Sequence, residues 1–267
     1  MKPQTFATAA LIIAATLLAQ ARAAVPEYVP VIVKSYPHDP AAFTEGLLYQ
    51  DGFLYESTGL NGQSSIRRVL LQTGTVVQQH DLDAKYFGEG IVIWKDRVIG
   101  LTYTTEIGFV YDLGSFNPIS DFHYTGEGWG LTRDSSHVFM SDGTSDVRIL
   151  DPDTLAESGR IHVTCDGRPI RNINELEWVN GEIYANIWQT NVIVRINPAT
   201  GQVGGLLDVS NLAALAAAGG RVVDVPNGIA YDAAGDRLFV TGKLWPALYQ
   251  ITLSPRPNAE QLCRTLP

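Results

Sequence analysis

Apolar and polar residues alternate along most of the chain in short runs, and the runs come in pairs. From Phe43, FTEGLLYQDGFLYEST alternates, turns at Asp51-Gly52 and alternates again; from Phe87, FGEGIVIWKDRVIGLTY does the same around Lys95-Asp96. Two alternating runs joined by so short a polar turn predict a β-hairpin. Each hairpin opens on an aromatic, a small residue, Glu and Gly. GWGLTRDSSHVFMSDG from Gly128, NELEWVNGEIYANIW from Asn174 and PNGIAYDAAGDRLFVTGKLW from Pro226 repeat the pattern in degenerate form, giving five copies.

Between the hairpins lie SSIRRVLLQTGTVVQQHDL, GFVYDLGSFNPISDFHY, DVRILDPDTLAESGRIHV and VIVRINPATGQVGGLLDV. Each predicts a strand, a turn rich in Asp, Asn, Pro, Thr and Gly, and a second strand. Hairpin and outer pair together make about four strands per unit, the content of a propeller blade. Glu45, Glu89, Trp129, Glu175 and Gly228 recur roughly 40 to 50 residues apart, the repeat length of such a blade. The expected fold is therefore all-β, a five-bladed β-propeller filling residues 24–267 as one domain. Val29 to Val33 precedes the first hairpin as an orphan strand and is expected to pair near Tyr249 to Leu253, closing the ring and removing exposed sheet edges. Ser210-Asn211, LAALAAA and Gly219-Gly220 predict a short connecting helix, capped by Ser or Asn and ended by glycine.

Residues 1–23 read as a secretory signal peptide, with Lys2 before an apolar run from Phe6 to Leu18 and a small-x-small site at Ala21-Arg22-Ala23. The run is shorter than the ~20 residues that span a bilayer, so the mature protein is expected to be secreted or periplasmic and free of the membrane. Losing Lys2 and Arg22 takes the formal charge from -9 to -11, two positive charges fewer. That acidity speaks against nucleic acid as a partner. Cys165 and Cys263 have no metal-ligand spacing, and in an oxidising compartment a bond between them is chemically allowed. His38, His80, His123, His137 and His162 also lack ligand spacing, so neither a metal nor another cofactor is expected.

In a propeller the first strand of every blade lines the axis, so the residues opening each repeat meet in space. These are Phe43, Glu45, Phe87, Glu89, Trp129, Asn174 and Glu175, joined by Trp188, Lys243 and Trp245 from second hairpin strands. Carboxylates, an amide and an ammonium among large aromatics suit a small polar ligand against an apolar wall. At these positions the chain resembles the plant-type and bacterial glutaminyl-peptide cyclotransferases, through FTEGL, FGEG, GEGWGLT, INELEW, ANIW, PNGIA and TGKLWP, with every blade contributing. The resemblance implies cyclisation of the N-terminal glutamine of peptides and proteins to pyroglutamate with loss of ammonia, by a metal-independent monomer. It implies Glu89 as catalytic acid/base, Glu45, Asn174 and Lys243 as its polar partners, and Phe43, Phe87, Trp129 and Trp188 as the apolar lining. Glu175 is placed with the substrate-binding group, as is Tyr103, which stands where some relatives carry Trp. Two other classes remain open on the residues alone: a metal-dependent propeller lactonase, which normally has six blades, and a propeller that binds a peptide or sugar without turnover.

Overall fold

The turns set the strands. Asp51-Gly52 and Asn180-Gly181 both hold positive φ at the two central residues, the two-residue hairpin geometry whose twist matches that of the flanking strands. The computed structural model describes residues 24–256 and 262–267, and the signal segment expected at 1–23 lies outside the described residues.

Strand β1 (Glu27–Pro37) comes first. A four-stranded meander follows, β2 (Thr44–Gln50), β3 (Phe53–Thr58), β4 (Ser65–Leu70) and β5 (Thr75–Asp81). The second is β6 (Gly88–Trp94), β7 (Arg97–Thr102), β8 (Ile107–Asp112) and β9 (Pro118–His123). The third is β10 (Leu131–Arg133), β11 (Val138–Ser141), β12 (Asp146–Leu150) and β13 (Glu157–His162). After a ribbon of β14 (Thr164–Cys165) and β15 (Arg168–Pro169) come β16 (Ile173–Val179), β17 (Glu182–Ile187), β18 (Val192–Ile196) and β19 (Val203–Asp208). Helix α1 (Ser210–Ala216) leads to β20 (Pro226–Asp232), β21 (Arg237–Gly242) and β22 (Ala247–Pro255).

The orphan strand pairs where its alternation predicts. β1 runs antiparallel to β22, with Val29 opposite Ser254 and Ile32 opposite Ile251. It also runs parallel to β19, through Glu27 with Leu206 and Tyr28 with Leu207. The second pairing merges two four-strand groups into one eight-stranded sheet in the order β16-β17-β18-β19-β1-β22-β21-β20. The molecule is all-β apart from short helical turns, and the innermost strands β2, β6, β10, β16 and β20 touch one another in turn.

The core lies between neighbouring sheets. Val92, Ile99 and Val110 of the second sheet pack on Leu131, Val138 and Met140 of the third, and Leu47 and Leu54 of the first pack on Ala230, Phe239 and Leu248. Near the axis the strands come too close for side chains. A Cβ on Gly130 would lie 2.2 Å from the Asn174 carbonyl oxygen, and one on Gly90 would lie 2.6 Å from the Leu131 nitrogen. The Gly that follows the Glu or Trp of the early repeats is a packing requirement.

Two local expectations change. Ser210 is the first helical residue rather than the cap; Val209 holds the cap position without a side-chain bond, and the Asp208 carboxylate accepts the Ser210 N–H at 3.0 Å. The glycine end also shifts: the helix closes at Ala217 in right-handed geometry, and Gly219 and Gly220, at φ 77° and 76°, follow in the turn beyond it. Cys165 and Cys263 form a disulfide with Cα atoms 5.5 Å apart, fastening β14 to the C-terminal turn.

Candidate active site

The side chains that open the repeats are aimed by breaks in strand pairing. The register of β2 against β3 shifts between Thr44 and Gly46, and that of β6 against β7 between Gly88 and Ile91. β16 and β20 break at the equivalent places, Ile173 to Leu176 and Pro226 to Ile229. A β-bulge adds an unpaired residue and turns its side chain out of strict alternation. Glu45, Glu89, Asn174 and Asn227 all sit inside these irregularities, at one end of the innermost strands.

There Glu45, Glu89 and Asn174 reach a cavity of about 400 Å³, and Asn227 stands behind Glu45. Phe43, Glu45, Phe87, Glu89, Tyr103, Trp129, Asn174, Trp188 and Lys243 line it, as do Gln189, Asp224 and Val225. Along its wall the aromatics form a continuous chain, edge to face except for the tilted Phe87–Tyr103 pair. Phe43 meets Phe87 at 6.2 Å between ring centres, Phe87 meets Tyr103 at 5.8 Å, Tyr103 meets Trp129 at 6.5 Å, and Trp129 meets Trp188 at 5.5 Å. Such spacing is favourable for aromatic pairs.

The floor is charged. Lys243 Nζ donates to Glu45 Oε1 at 2.7 Å while lying 4.6 Å from the Phe43 ring centre. Asn227 Nδ2 donates to the Thr44 carbonyl at 2.9 Å and to Glu45 Oε2 at 3.3 Å. Glu45 and Glu89 both line the floor and are almost fully buried, at 1% and 6% exposure. Burial pushes the Glu45 carboxyl up to about 7, although Lys243 pulls it down. Burial and then the Glu45 charge drive Glu89 well above the ordinary carboxylate range. The two carboxyls titrate as a pair held above the ordinary carboxylate range, with the Lys243 charge beside Glu45 opposing the rise.

Asn174 lines the cavity, and its buried side-chain oxygen has no partner among the described residues. Glu175 does not reach the cavity. Its carboxylate faces the axis below, accepting the Leu47 N–H at 3.3 Å and the Ile229 N–H at 2.9 Å, and so ties β2 to β20. Trp245 is fully buried and donates from Nε1 to the Asp224 carbonyl at 2.9 Å. Sequence reasoning passed over Gln189, Asp224, Val225 and Asn227. Only Asn227 had a signal, since it precedes the repeat glycine in PNGIA as Glu45 does in FTEGL. Among the described residues no group of three His, Cys, Asp or Glu side chains is arranged to hold a metal ion.

The sequence matches the glutamine cyclotransferase family over residues 5–253. It is 46% identical over 225 residues to the glutaminyl-peptide cyclotransferase of Arabidopsis thaliana, covering 83% of this chain and 70% of the other. The solved structure of Myxococcus xanthus glutaminyl cyclase matches with a TM-score of 0.81 at 36% identity, over 87% of this chain and 99% of that one.

Proposed function

This chain belongs to the glutamine cyclotransferase family, and on that premise we propose how it closes the N-terminal glutamine of peptides and proteins into pyroglutamate with release of ammonia. The observation that carries the reading is the meeting of two buried carboxyls, Glu45 and Glu89, at the floor of an aromatic-walled cavity, with Lys243 Nζ 2.7 Å from Glu45 Oε1.

The reaction joins two groups of one residue. A neutral α-amine, whose ordinary pKa is about 7.7 to 8.0, attacks the side-chain carboxamide carbon, forming a tetrahedral oxyanion; ammonia then leaves as the lactam closes. Because the reactants are tethered, the cavity's first task is to fold the glutamine side chain back and hold it. The arc from Phe43 to Trp188 does this with ring faces and excludes the water that would hydrolyse the amide instead. Protons must also move. Glu89 gives its proton to the departing nitrogen, and the carboxylate pair recovers one from the attacking nitrogen, which restores the starting state. Glu45, fixed by Lys243 and Asn227, positions the amine. The Asn174 Nδ2 group and Lys243 Nζ are the donors available to the oxyanion, a contribution of about 2.7 to 4 kcal/mol per donor in comparable sites.

The same reading takes the chain as a five-bladed propeller, its fourth and fifth blades hydrogen-bonded through β1, supported by the five innermost strands in sequential contact. It is a secreted or periplasmic monomer working without a metal, since Lys243 already supplies the positive charge at Glu45. Turnover is expected to survive exhaustive chelation; loss on dialysis against a strong chelator, restored by zinc, would sink metal independence. The direct test incubates the purified protein with a glutamine-initiated dipeptide. Ammonia should appear together with loss of the free amine. Ammonia without amine loss would mean hydrolysis, and neither change would mean a binding protein.

A further inference from the structure

Beside the cavity, outside the residues that line it, lies a buried ionic cluster centred on His38. Both ring nitrogens of His38 face groups that only accept. Nδ1 lies 2.6 Å from the Trp245 carbonyl oxygen and Nε2 lies 3.0 Å from Glu56 Oε1. A neutral imidazole carries one N–H and satisfies one acceptor; two acceptors require the doubly protonated ring. The His38 side chain is 4% exposed. The charged groups facing it are Glu56 on β3, Arg67 on β4, which donates to Glu56 Oε2 at 2.6 Å, and Asp39 in its own loop, which binds Arg67 at 2.8 Å. The segment carrying Trp245 presents only its carbonyl.

That segment is the turn carrying Lys243. Leu244 there holds φ +62°, a conformation a bulky side chain adopts only where its surroundings enforce it. Three contacts do so from the first sheet's side. Leu244 N–H donates to the Ala42 carbonyl at 2.7 Å, His38 N–H donates to the Pro246 carbonyl at 3.2 Å, and the His38 ring holds Trp245. We propose that His38 is a positioning residue, an imidazolium that clamps the Lys243–Pro246 turn to the first sheet so that Lys243 reaches Glu45. Burial alone would push the imidazole down, but the Glu56 charge and the two hydrogen bonds hold it raised. The clamp's contribution is therefore complete below the ordinary imidazole value of about 6.5 and is lost as pH rises through the raised one.

The inference rests on the proton-sharing roles assigned above to Glu45 and Glu89, and the test separates the two. In wild-type protein with ¹⁵N-labelled imidazoles, one buried histidine of the five should carry protons on both nitrogens at about pH 7.5, a unit above the ordinary value. A buried ring with one protonated nitrogen there overturns the clamp, and this measurement needs no variant to fold. His38→Gln keeps one hydrogen bond and no charge. It should lower kcat about tenfold at neutrality with KM nearly unchanged, and move the acid limb of kcat to higher pH, as Lys243→Met does by removing the charge that pulls Glu45 down. In the Lys243→Met background His38→Gln should add nothing, because both act through one contact. An unshifted His38→Gln profile, or a full independent effect on top of Lys243→Met, overturns the proposal. If Lys243→Met itself leaves the profile unmoved, the assigned role of the Glu45 pair fails instead.

Discussion

At the scale of single residues, the two carboxylates of the floor are separable by experiment because their neighbours differ. Glu45 is held by Lys243 and Asn227, whereas the charge acting most strongly on Glu89 is the Glu45 carboxylate. Glu89→Gln keeps the shape but cannot pass a proton, so kcat should fall roughly 10²- to 10⁴-fold while KM changes little. Glu45→Gln should act more through KM, by loosening the substrate amine. The assignment is reversed if Glu45→Gln abolishes kcat and Glu89→Gln leaves it near wild type. The candidate residues were legible because aromatics and carboxylates recur at the same repeat offset. Glu175 was misplaced for a definite reason. Asn174 and Glu175 share one bulge, and a bulge shifts the inward face by one residue, so alternation cannot say which of two neighbours faces the cavity. Gln189, Asp224 and Val225 come from connecting loops, where no period exists to read.

Among the elements, the innermost strands depend on glycine where they approach one another. Gly130→Ala forces its new methyl against the Asn174 carbonyl. It should therefore lower activity through displacement of Asn174 and reduce Tm, by about 2–4 °C for each kcal/mol lost in a domain of this size. A crystal structure or thermal melt indistinguishable from wild type would show that the strands yield at no cost. The Cys165–Cys263 bond closes a separation of 98 residues and touches none of the cavity lining. Replacing both by Ser should remove about 2–4 kcal/mol of stability and leave kcat intact at temperatures where the variant stays folded. Hairpins were legible from their turns, since Asp-Gly and Asn-Gly demand positive φ. The pairing of β1 with β19 was not, because two residue pairs leave no periodic mark. The helix cap was missed because Asp208, still in β19, accepts the bond expected of a Ser or Asn cap.

Over the whole molecule the buried carboxyls set the response to pH. Burial raises Glu177 to about 8 even though the Tyr231 N–H bonds it, and Glu45 to about 7. Each binds its proton more tightly folded than unfolded, where the value is near 4.3. Their stabilisation is complete below that value and is lost as pH rises through the folded ones. His38, also raised, acts in the same direction. Glu56 opposes them in acid. Burial would raise it, but His38, Arg67 and Thr44 hold it at about 2, so its contribution is present above about pH 4.3 and disappears towards 2. Tm should peak in mild acid and decline towards about pH 8, as followed by circular dichroism. Glu177→Gln, which still accepts from Tyr231, should flatten the decline. A Tm that stays level across that range would contradict this account.

The bond from Lys243 to Glu45 spans 198 residues of sequence, and the strand that seals the sheet comes from the opposite end of the chain. Biosynthesis therefore has no intermediate with a working site. A chain stalled on the ribosome before Lys243, or cut there by a protease, has the proton carriers without the cation that sets their charge. Catalytic activity thus reports that translation and folding have both finished, and a mixture of fragments should show none until the missing C-terminal piece is supplied.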